Sequence, residues 1–83
     1  MYYLYILECA DKTLYTGITT DLERRIAEHN NGKLGAKYTS VRRPVKMVFS
    51  RRFKNRSLAS KEEARIKKLE RLEKSELIKN FKK

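Results

Sequence analysis

Cysteine and long apolar runs are nearly absent from this sequence, and their scarcity excludes several classes of protein. Cys9 is the only cysteine in 83 residues, so the chain can form neither an internal disulfide nor a zinc site made of cysteines. No apolar run approaches the roughly 18 residues of a membrane-spanning helix, and the N-terminus lacks the pattern of a signal peptide. We therefore expect a soluble, cytoplasmic protein in which Cys9 is a small buried strand residue.

Acidic residues are also scarce, and the middle of the chain has none. The composition is 21 Lys and Arg against 10 Asp and Glu, a formal net charge of +11. From His29 to Lys61 there is no Asp or Glu, whereas a solvated surface normally mixes both signs. An anionic membrane is a weaker partner than nucleic acid, because the basic residues interrupt apolar helix faces rather than flank them. Five side chains are predicted to contact nucleic-acid phosphates: Lys37, Arg42, Arg43, Arg51 and Arg52.

The length and the apolar pattern predict one mixed domain over residues 1–83, since the chain is too short for two hydrophobic cores. Segments rich in aromatic and β-branched residues predict strands, and amphipathic segments predict helices. We expect strands at 2–9, 13–19 and 45–53, and helices at 20–31, 57–71 and 73–81. The predicted order is β-β-α-β-α-α, with a loop at 32–44.

Local signals predict where these elements begin and which residues share a face. Thr20 and Glu23 form a capping box for the first helix. Ser57 is expected to be the N-cap of the second helix. Alternation in the third strand predicts one apolar face made of Val45, Met47 and Phe49.

Two tyrosine triplets, Leu4-Tyr5-Ile6 and Tyr15-Thr16-Gly17, flank the tight turn between the first two strands. The first strand is apolar on both faces, which predicts a central strand covered on both sides. Taken alone, the tyrosines are best interpreted as packing residues, because tyrosine is common in strands.

The register of this hairpin decides whether the two tyrosines can act together. If Cys9 pairs with Thr13 across a three-residue loop, Tyr5 faces Gly17 and Tyr15 lies on the same side of the sheet. Gly17 would then leave space above Tyr5 for the backbone of a substrate. A two-residue loop would place the two phenols on opposite faces.

The first helix presents Arg25 and His29 four residues apart, and therefore on one face. Leu22 and Ile26 lie beside them and are expected to dock this face on the sheet. A lone histidine beside an apolar stripe is more often a packing residue than a catalyst. Because Arg25 lies one helical turn away on the same face, a packing role and a catalytic role for His29 are about equally well supported.

The second helix carries two adjacent carboxylates, Glu62 and Glu63. Its apolar face is predicted to contain Ala59, Ile66 and Leu69. The helical angle places Glu62 nearer the centre of that face and Glu63 at its flank, so periodicity does not choose between them. Structural roles are also open to both, since acids favour helix N-termini and Glu63 can pair with Lys67.

Two phenols, an arginine, a histidine and one carboxylate are a workable set for cutting a phosphodiester. Phenols can hold or move a proton, an arginine can neutralise phosphate charge, and a carboxylate can hold a divalent cation.

With these motifs in order, the chain resembles the small, stand-alone bacterial type of the GIY-YIG nuclease superfamily. The resemblance extends over nearly the whole chain and includes the two tyrosine triplets. It also includes these matching stretches: Thr16 to Leu22, Arg25-Ile26, His29-Asn30, Gly35 to Thr39, and Arg42 to Val45. The matching helix in the second half selects Glu63 over Glu62 as the metal-binding glutamate.

The resemblance implies an α/β (α+β) fold in which helices flank a small, mainly antiparallel three-stranded sheet. It implies cleavage of DNA with one divalent cation, Mg²⁺ or Mn²⁺, in repair or recombination and with selectivity for DNA structure. The implied catalytic residues are Tyr5, Tyr15, Arg25, His29 and Glu63. Tyr5 would activate the attacking water, with His29 as the rival base. The basic middle segment or a partner protein would supply affinity for DNA.

The sequence also departs from the family pattern. Leu4 replaces the first glycine of the first motif, and Thr16 replaces the isoleucine of the second. Arg51 and Arg52 occupy positions where many small members have an acidic residue. The asparagine found late in many members has only weak matches, Asn55 and Asn80.

Two classes of function follow. The first is a metal-dependent endonuclease. The second is a nucleic-acid-binding module without catalysis, in which Tyr5 and Tyr15 stack on bases and the basic loop holds the backbone. A pure binder has no use for Glu63 close to a phosphate, because a carboxylate without a metal ion repels it. The set of five residues therefore favours the endonuclease.

Overall fold

Three antiparallel strands form a sheet in the order β2-β1-β3. The computed structural model of the protein describes residues 1–31 and 37–81. The strands in this part of the chain are β1 (Tyr2–Glu8), β2 (Leu14–Thr19) and β3 (Lys46–Phe53). The helices are α1 (Leu22–Asn31), α2 (Lys37–Ser40), α3 (Arg56–Lys67) and α4 (Arg71–Phe81). The predicted class, an antiparallel three-stranded sheet flanked by helices, is confirmed.

Strand β1 is central because its side chains are apolar on both faces. Leu4 and Ile6 belong to one buried cluster, which is completed by Val48 and by Ile66 of α3. Tyr5 belongs to a second cluster with Leu7, Cys9 and Val45. Leu22 and Ile26 of α1 pack against this second cluster, as their spacing predicts. Cys9 is buried as expected, and burial raises the pKa of its thiol.

The hairpin between β1 and β2 has the three-residue loop that places both tyrosines on one face. The backbone N–H of Cys9 donates to the carbonyl of Thr13 over 2.9 Å, and Lys12 adopts a positive φ of 71° within the loop. Tyr5 therefore pairs with Gly17, and Leu7 pairs with Tyr15. Of the two registers that the sequence left open, this is the one in which the two phenols can act together.

The predicted alternating face of β3 is wrong, because the strand contains a β-bulge. Along β1, Ile6 pairs with Phe49 and Leu7 pairs with Met47, which leaves Val48 as the extra residue. Val48 is buried in the cluster with Ile6, while Met47 is exposed. A single inserted residue reverses the alternation of every side chain beyond it, and a repeat of two cannot anticipate that.

The N-caps of α1 and α3 also differ from the predictions. A capping box of Thr20 and Glu23 was predicted for α1, and Ser57 was predicted as the N-cap of α3. Asp21 caps α1, since its carboxylate accepts from the backbone N–H of Arg24 over 3.1 Å. Asn55 caps α3, since its side chain accepts from the N–H of Leu58 over 3.0 Å. Asp and Asn are at least as good N-caps as Thr and Ser, so a neighbouring acceptor displaced each predicted one.

The second half of the chain contains further differences in the helix ends. Helix α3 ends at Lys67 and α4 begins at Arg71, whereas the predicted boundaries were 71 and 73. The four-residue helix α2 lies in the segment predicted to be a loop, of which residues 32–36 lie outside the described part. No helix in the described ranges is long and apolar enough to cross a membrane.

Candidate active site around Tyr5 and His29

Helix α1 places His29 directly against Tyr5. The Tyr5 hydroxyl oxygen lies 2.9 Å from Nε2 of His29, and both side chains are buried, with exposures of 1% and 0%. His29 Nδ1 lies 2.7 Å from the hydroxyl of Thr39 on α2, which is also buried. The predicted docking of α1 therefore brings the histidine and the first tyrosine together inside the fold.

The hydrogen-bond partners of Tyr5 determine the direction of this chain of contacts. The Arg25 guanidinium lies close enough to the Tyr5 hydroxyl to lower its pKa against the larger effect of burial, and a guanidinium has donors only. The one phenolic proton is then directed to Nε2 of His29, so Nδ1 carries the imidazole proton and donates to Thr39. This tautomer is assigned from the hydrogen-bond network. The resulting order is Arg25 to Tyr5 to His29 to Thr39.

Burial and neighbouring charges keep both central groups neutral. Burial, together with the positive charges of Arg25 and Arg43, lowers the pKa of His29 to about 4, although Glu28 opposes the shift. Burial raises the pKa of Tyr5 above its usual value of 10.0 despite its hydrogen bond with Arg25. At neutral pH the resting site therefore contains a neutral imidazole that accepts from a neutral phenol.

Arg25 is held in place by Glu28 as well as by Tyr5. Its guanidinium lies 2.9 Å from the Glu28 carboxylate, which also pairs with Arg24 over 3.7 Å. The Arg24 side chain is 58% exposed. Arg25, whose side chain is 25% exposed, is thus the less exposed of the two cations, with one side against the buried phenol.

Tyr15 joins the cluster through its ring. Its centroid lies 5.1 Å from that of His29 and 6.4 Å from that of Tyr5. On α2, the Tyr38 ring stacks on Tyr15 at 6.0 Å with an interplanar angle of 28°. The Arg42 guanidinium lies 4.1 Å from the centre of the Tyr38 ring.

Gly17 has a different role from the one predicted. A Cβ at this position would lie 2.6 Å from the Tyr5 hydroxyl oxygen and 2.8 Å from its ring carbon Cζ. The missing side chain therefore makes room for the Tyr5 phenol itself, rather than for the backbone of a substrate. Only glycine permits the hydroxyl to reach His29 without displacing either strand.

Glu63 acts on the phenol from α3. Its negative charge contributes to the raised pKa of Tyr5, and its carboxylate pairs with Lys67 over 3.4 Å. Glu62 has other partners: Arg65 at 2.7 Å and Arg51 at 3.4 Å, and its pKa is lowered chiefly by Arg65. The structure thus distinguishes two carboxylates that periodicity could not separate.

The basic residues of the middle segment lie on separate surfaces. Arg42 pairs with Asp11 over 3.0 Å, and Arg43 Nε donates to the carbonyl of His29 over 2.6 Å, so both tie the α2 region to the rest of the fold. Arg51 and Arg52 are exposed on β3, at the opposite edge of the sheet from β2. The Lys37 side chain lies outside the described residues.

Sequence reasoning missed the roles of Thr39 and Tyr38. Both lie in the stretch from Gly35 to Thr39 that carries part of the family resemblance, and that resemblance could have pointed to them as site residues. Asn55 is occupied as the cap of α3, and Asn80 is exposed on α4. Neither is placed in the Tyr5 cluster by any contact of the described residues.

The antiparallel sheet and the cluster of tyrosine, histidine and arginine correspond to a small nuclease-type catalytic domain. The family model described as "GIY-YIG catalytic domain" matches residues 1–76, and the chain belongs to this family. The family implies endonuclease activity; its nucleases act on DNA and generally use divalent metal ions.

Similar proteins extend over almost the whole chain. A UPF0213 protein of Syntrophus aciditrophicus is 58% identical over 77 residues, which cover 93% of this chain and 88% of that protein. The NMR structure of a UPF0213 protein from Bacillus halodurans is similar with a TM-score of 0.61 and 45% identity, covering 95% of this chain and 84% of that one. An NMR structure from E. faecalis has a TM-score of 0.66 and 48% identity, with coverages of 96% and 84%.

Proposed function

We propose that this protein is a metal-dependent endonuclease that hydrolyses phosphodiester bonds of DNA, with Tyr5, Tyr15, Arg25, His29 and Glu63 as its catalytic residues. The observation that carries the proposal is the buried contact between Tyr5 and His29, with Arg25 on the same phenol. Packing alone does not need two polar side chains converging on one hydroxyl inside a small core. A proton-transfer site does.

The proton path follows from the direction of these hydrogen bonds. As water attacks phosphorus, it gives a proton to the Tyr5 oxygen while Tyr5 passes its own proton to Nε2 of His29. The bond between phosphorus and the leaving strand oxygen breaks, and that oxygen takes a proton from solvent. The His29 cation keeps its Nδ1 bond to Thr39. Tyr5 and His29 thus act as one base rather than as rivals.

The cations and the second phenol complete the site. Arg25 lies against Tyr5 and offsets negative charge that develops on the phosphate. Tyr15 contacts His29 by its ring and orients the water or the phosphate. The incoming phosphate charge also raises the proton affinity of His29, whose pKa of about 4 is low for a base in the resting protein.

A divalent ion fits the donor set that the chain provides. Within residues 1–31 and 37–81, no three His, Cys, Asp or Glu side chains come together as a metal cage. Mg²⁺ keeps several of its waters and takes only one or two carboxylates with phosphate oxygens, so Glu63 alone suits it. When bound there, such an ion polarises the phosphate and stabilises the leaving oxygen.

Stacking of bases on Tyr5, the basis of the non-catalytic alternative, conflicts with the 1% exposure of that ring. The exposed Arg51 and Arg52 are proposed to contact the duplex arms of a branched substrate in repair or recombination. We further propose a cytoplasmic protein of one domain, with a partner protein that directs it to its substrate.

A cleavage assay on flap, nicked, branched and linear DNA, with Mg²⁺ or Mn²⁺ and with EDTA, tests the proposal. We expect strand cleavage that requires the ion and that the Glu63→Gln variant lacks. Cleavage that persists in EDTA, or in Glu63→Gln, would contradict it.

A further inference from the structure

The edge strand β2 has a cationic cleft at each of its ends, with the Tyr5 cluster between them. One cleft, of about 320 Å³, adjoins Ile18 and Thr19 at the end of β2 and is lined by Arg24, Arg25 and Arg56. The other, of about 240 Å³, adjoins Thr13 and Leu14 at its start and is lined by Tyr38, Arg71 and Lys74.

Each cleft straddles the edge of the sheet because its walls come from both faces. At the end of β2, Arg24 belongs to α1 and Arg56 to α3, which pack on opposite faces. At the start of β2, Tyr38 belongs to α2 and Lys74 to α4. The two clefts are therefore parts of one line that follows β2 past Tyr15 and Gly17.

Helix α3 presents a row of charged residues on one of its faces, beginning with Arg56 in the cleft at the end of β2. Arg56 precedes Glu63 by seven residues, which is two turns, so both lie on one face of α3 about 10 Å apart along its axis. Lys67 follows on the same face and pairs with Glu63. A phosphate near Glu63 would thus have Arg56 beside a neighbouring phosphate of the same strand.

The charges in the clefts are suited to an anion. Arg56, Arg71 and Lys74 form no ion pair with any side chain in the described ranges. Glu28 lines the larger cleft, but it is held by Arg24 and Arg25. Each cleft therefore has a net positive charge, which attracts the negatively charged phosphates of DNA.

We infer that one unpaired DNA strand lies along the edge of β2, with flanking phosphates in the two clefts and the phosphate to be cut between them. The inference rests on the proposed function. From Leu14 to Thr19 the strand β2 rises about 17 Å. At the roughly 3.4 Å per nucleotide of a strand in a duplex this length holds about five nucleotides, and an extended unpaired strand covers it with fewer.

An unpaired strand is favoured over a duplex by the depth of the catalytic phenol. The Tyr5 side chain is buried and its hydroxyl lies against Gly17, and the cleft at each end of β2 has walls from both faces of the sheet. A phosphate has to enter between these walls to approach it, and a paired strand is held back by its complement.

The test measures binding in EDTA, by fluorescence anisotropy, to a labelled oligothymidylate of about 12 nucleotides, long enough to cover both clefts. Arg56→Gln and Lys74→Gln keep most of each side chain but remove its charge. Each is expected to bind about fivefold more weakly at about 0.1 M salt, because one lost phosphate contact removes about 0.7 from the slope of log K against log salt.

Two matched variants control for general charge. Lys61→Gln, an exposed lysine of α3 that lies off the Arg56–Glu63 face, should bind like the wild type. Arg56→Lys should restore most of the affinity and of the salt slope. Thermal melting monitored by circular dichroism verifies that every variant is folded.

Equal affinity for the Arg56→Gln, Lys74→Gln and Lys61→Gln variants would overturn the inference. Tighter binding by the wild type to the matched duplex than to the single strand would also overturn it. Because no metal ion is present, these results do not depend on cleavage. A protein with the expected binding pattern but no activity with Mg²⁺ or Mn²⁺ would contradict the proposed function alone.

Discussion

The hydroxyl oxygen of Tyr5 and Nε2 of His29 lie 2.9 Å apart in the interior of the protein, although 24 residues separate them in sequence. Each group determines the state of the other. The imidazole must be unprotonated at Nε2 to accept the phenolic proton, and the phenol must be neutral to donate it. A change at either residue is therefore expected to affect both chemistry and stability.

Replacing Tyr5 by phenylalanine separates the chemistry of the phenol from its packing. The ring keeps its place, but Nε2 of His29 loses its partner, which typically costs about 1–3 kcal/mol of stability. Cleavage should fall about 10²–10⁴-fold, as for the loss of a general base. Single-turnover rates and urea unfolding measure the two effects.

Tyr15→Phe is the matched control for that change, since Tyr15 contacts His29 by its ring. It should stay close to wild type in stability and lose less activity than Tyr5→Phe. Near-normal cleavage by Tyr5→Phe would remove Tyr5 from the proton path and leave His29 as the base. Base stacking as the main role predicts wild-type behaviour for both phenylalanine variants.

Glu63 and Glu62 are neighbours with different expected effects. Glu63→Gln should abolish cleavage and keep most DNA binding, because Glu63 is the proposed ligand of the divalent ion and the basic contacts to phosphates remain. Glu62→Gln should reduce cleavage little and lower stability by up to about 1 kcal/mol, through its exposed ion pairs with Arg65 and Arg51. Cleavage rates and DNA affinity, measured side by side, test the assignment. Equal loss of activity in both variants would contradict it.

The stability of the protein is expected to depend on pH through His29. Its pKa is about 4 in the folded protein and about 6.5 when unfolded, so between these values the unfolded chain binds the additional proton. The stabilisation is complete above pH 6.5 and is lost as the pH falls toward 4. The difference between the folded and unfolded pKa values of His29 corresponds to about 3 kcal/mol in the free energy of unfolding.

Urea unfolding at a series of pH values measures this loss, and His29→Gln serves as the control. The variant should lack the part of the pH dependence between about 6.5 and 5, above the range of the carboxyl groups. Because His29 is the only histidine, its imidazole signals in proton NMR report the same pKa directly. A midpoint near 6.5 in the folded protein would refute the prediction.

The sequence predicts the parts of this structure that depend on short-range pattern, and it fails where one residue shifts the pattern. The register that joins Tyr5 to Gly17 follows from the loop length. The bulge at Val48 does not, because nothing in a repeat of two marks an inserted residue.

In the candidate site, too, contacts set by local spacing are predictable from the sequence, and contacts between distant segments are not. Helical spacing places Arg25 and His29 together, but it cannot bring Thr39 of α2 to Nδ1 of His29, since that contact depends on the path of the chain between the two helices. The choice between Glu62 and Glu63 needed the family resemblance, because both carboxylates form ion pairs on α3: Glu62 with Arg65 and Arg51, and Glu63 with Lys67.

Arg51 and Arg52 are expected to bind the duplex part of a substrate. Both are exposed on β3, across the sheet from the clefts along β2. Replacing both by glutamine should weaken binding to branched DNA and reduce its salt slope by about one per lost contact, while binding to a short single strand is unchanged. Anisotropy titrations with both probes test this. An unchanged slope on branched DNA would mean that these arginines serve only solubility.

Gly17→Ala tests how closely the hairpin fits the catalytic phenol. The added methyl would lie 2.6 Å from the Tyr5 hydroxyl oxygen and 2.8 Å from Cζ, so either the phenol or the strand must move. Overpacking of this kind typically costs about 1–3 kcal/mol. Displacement of the phenol would also lengthen its contact with His29, so cleavage should fall along with the free energy of unfolding.

A double-mutant cycle with Tyr5→Phe shows whether the clash with the hydroxyl is the cause. Phenylalanine lacks the oxygen that makes the closest contact, so Gly17→Ala should cost less stability in the Tyr5→Phe background than in the wild type. Urea unfolding of the four proteins gives the coupling energy. If Gly17→Ala has the same cost in both backgrounds, the glycine is needed by the backbone of β2 and not by the phenol.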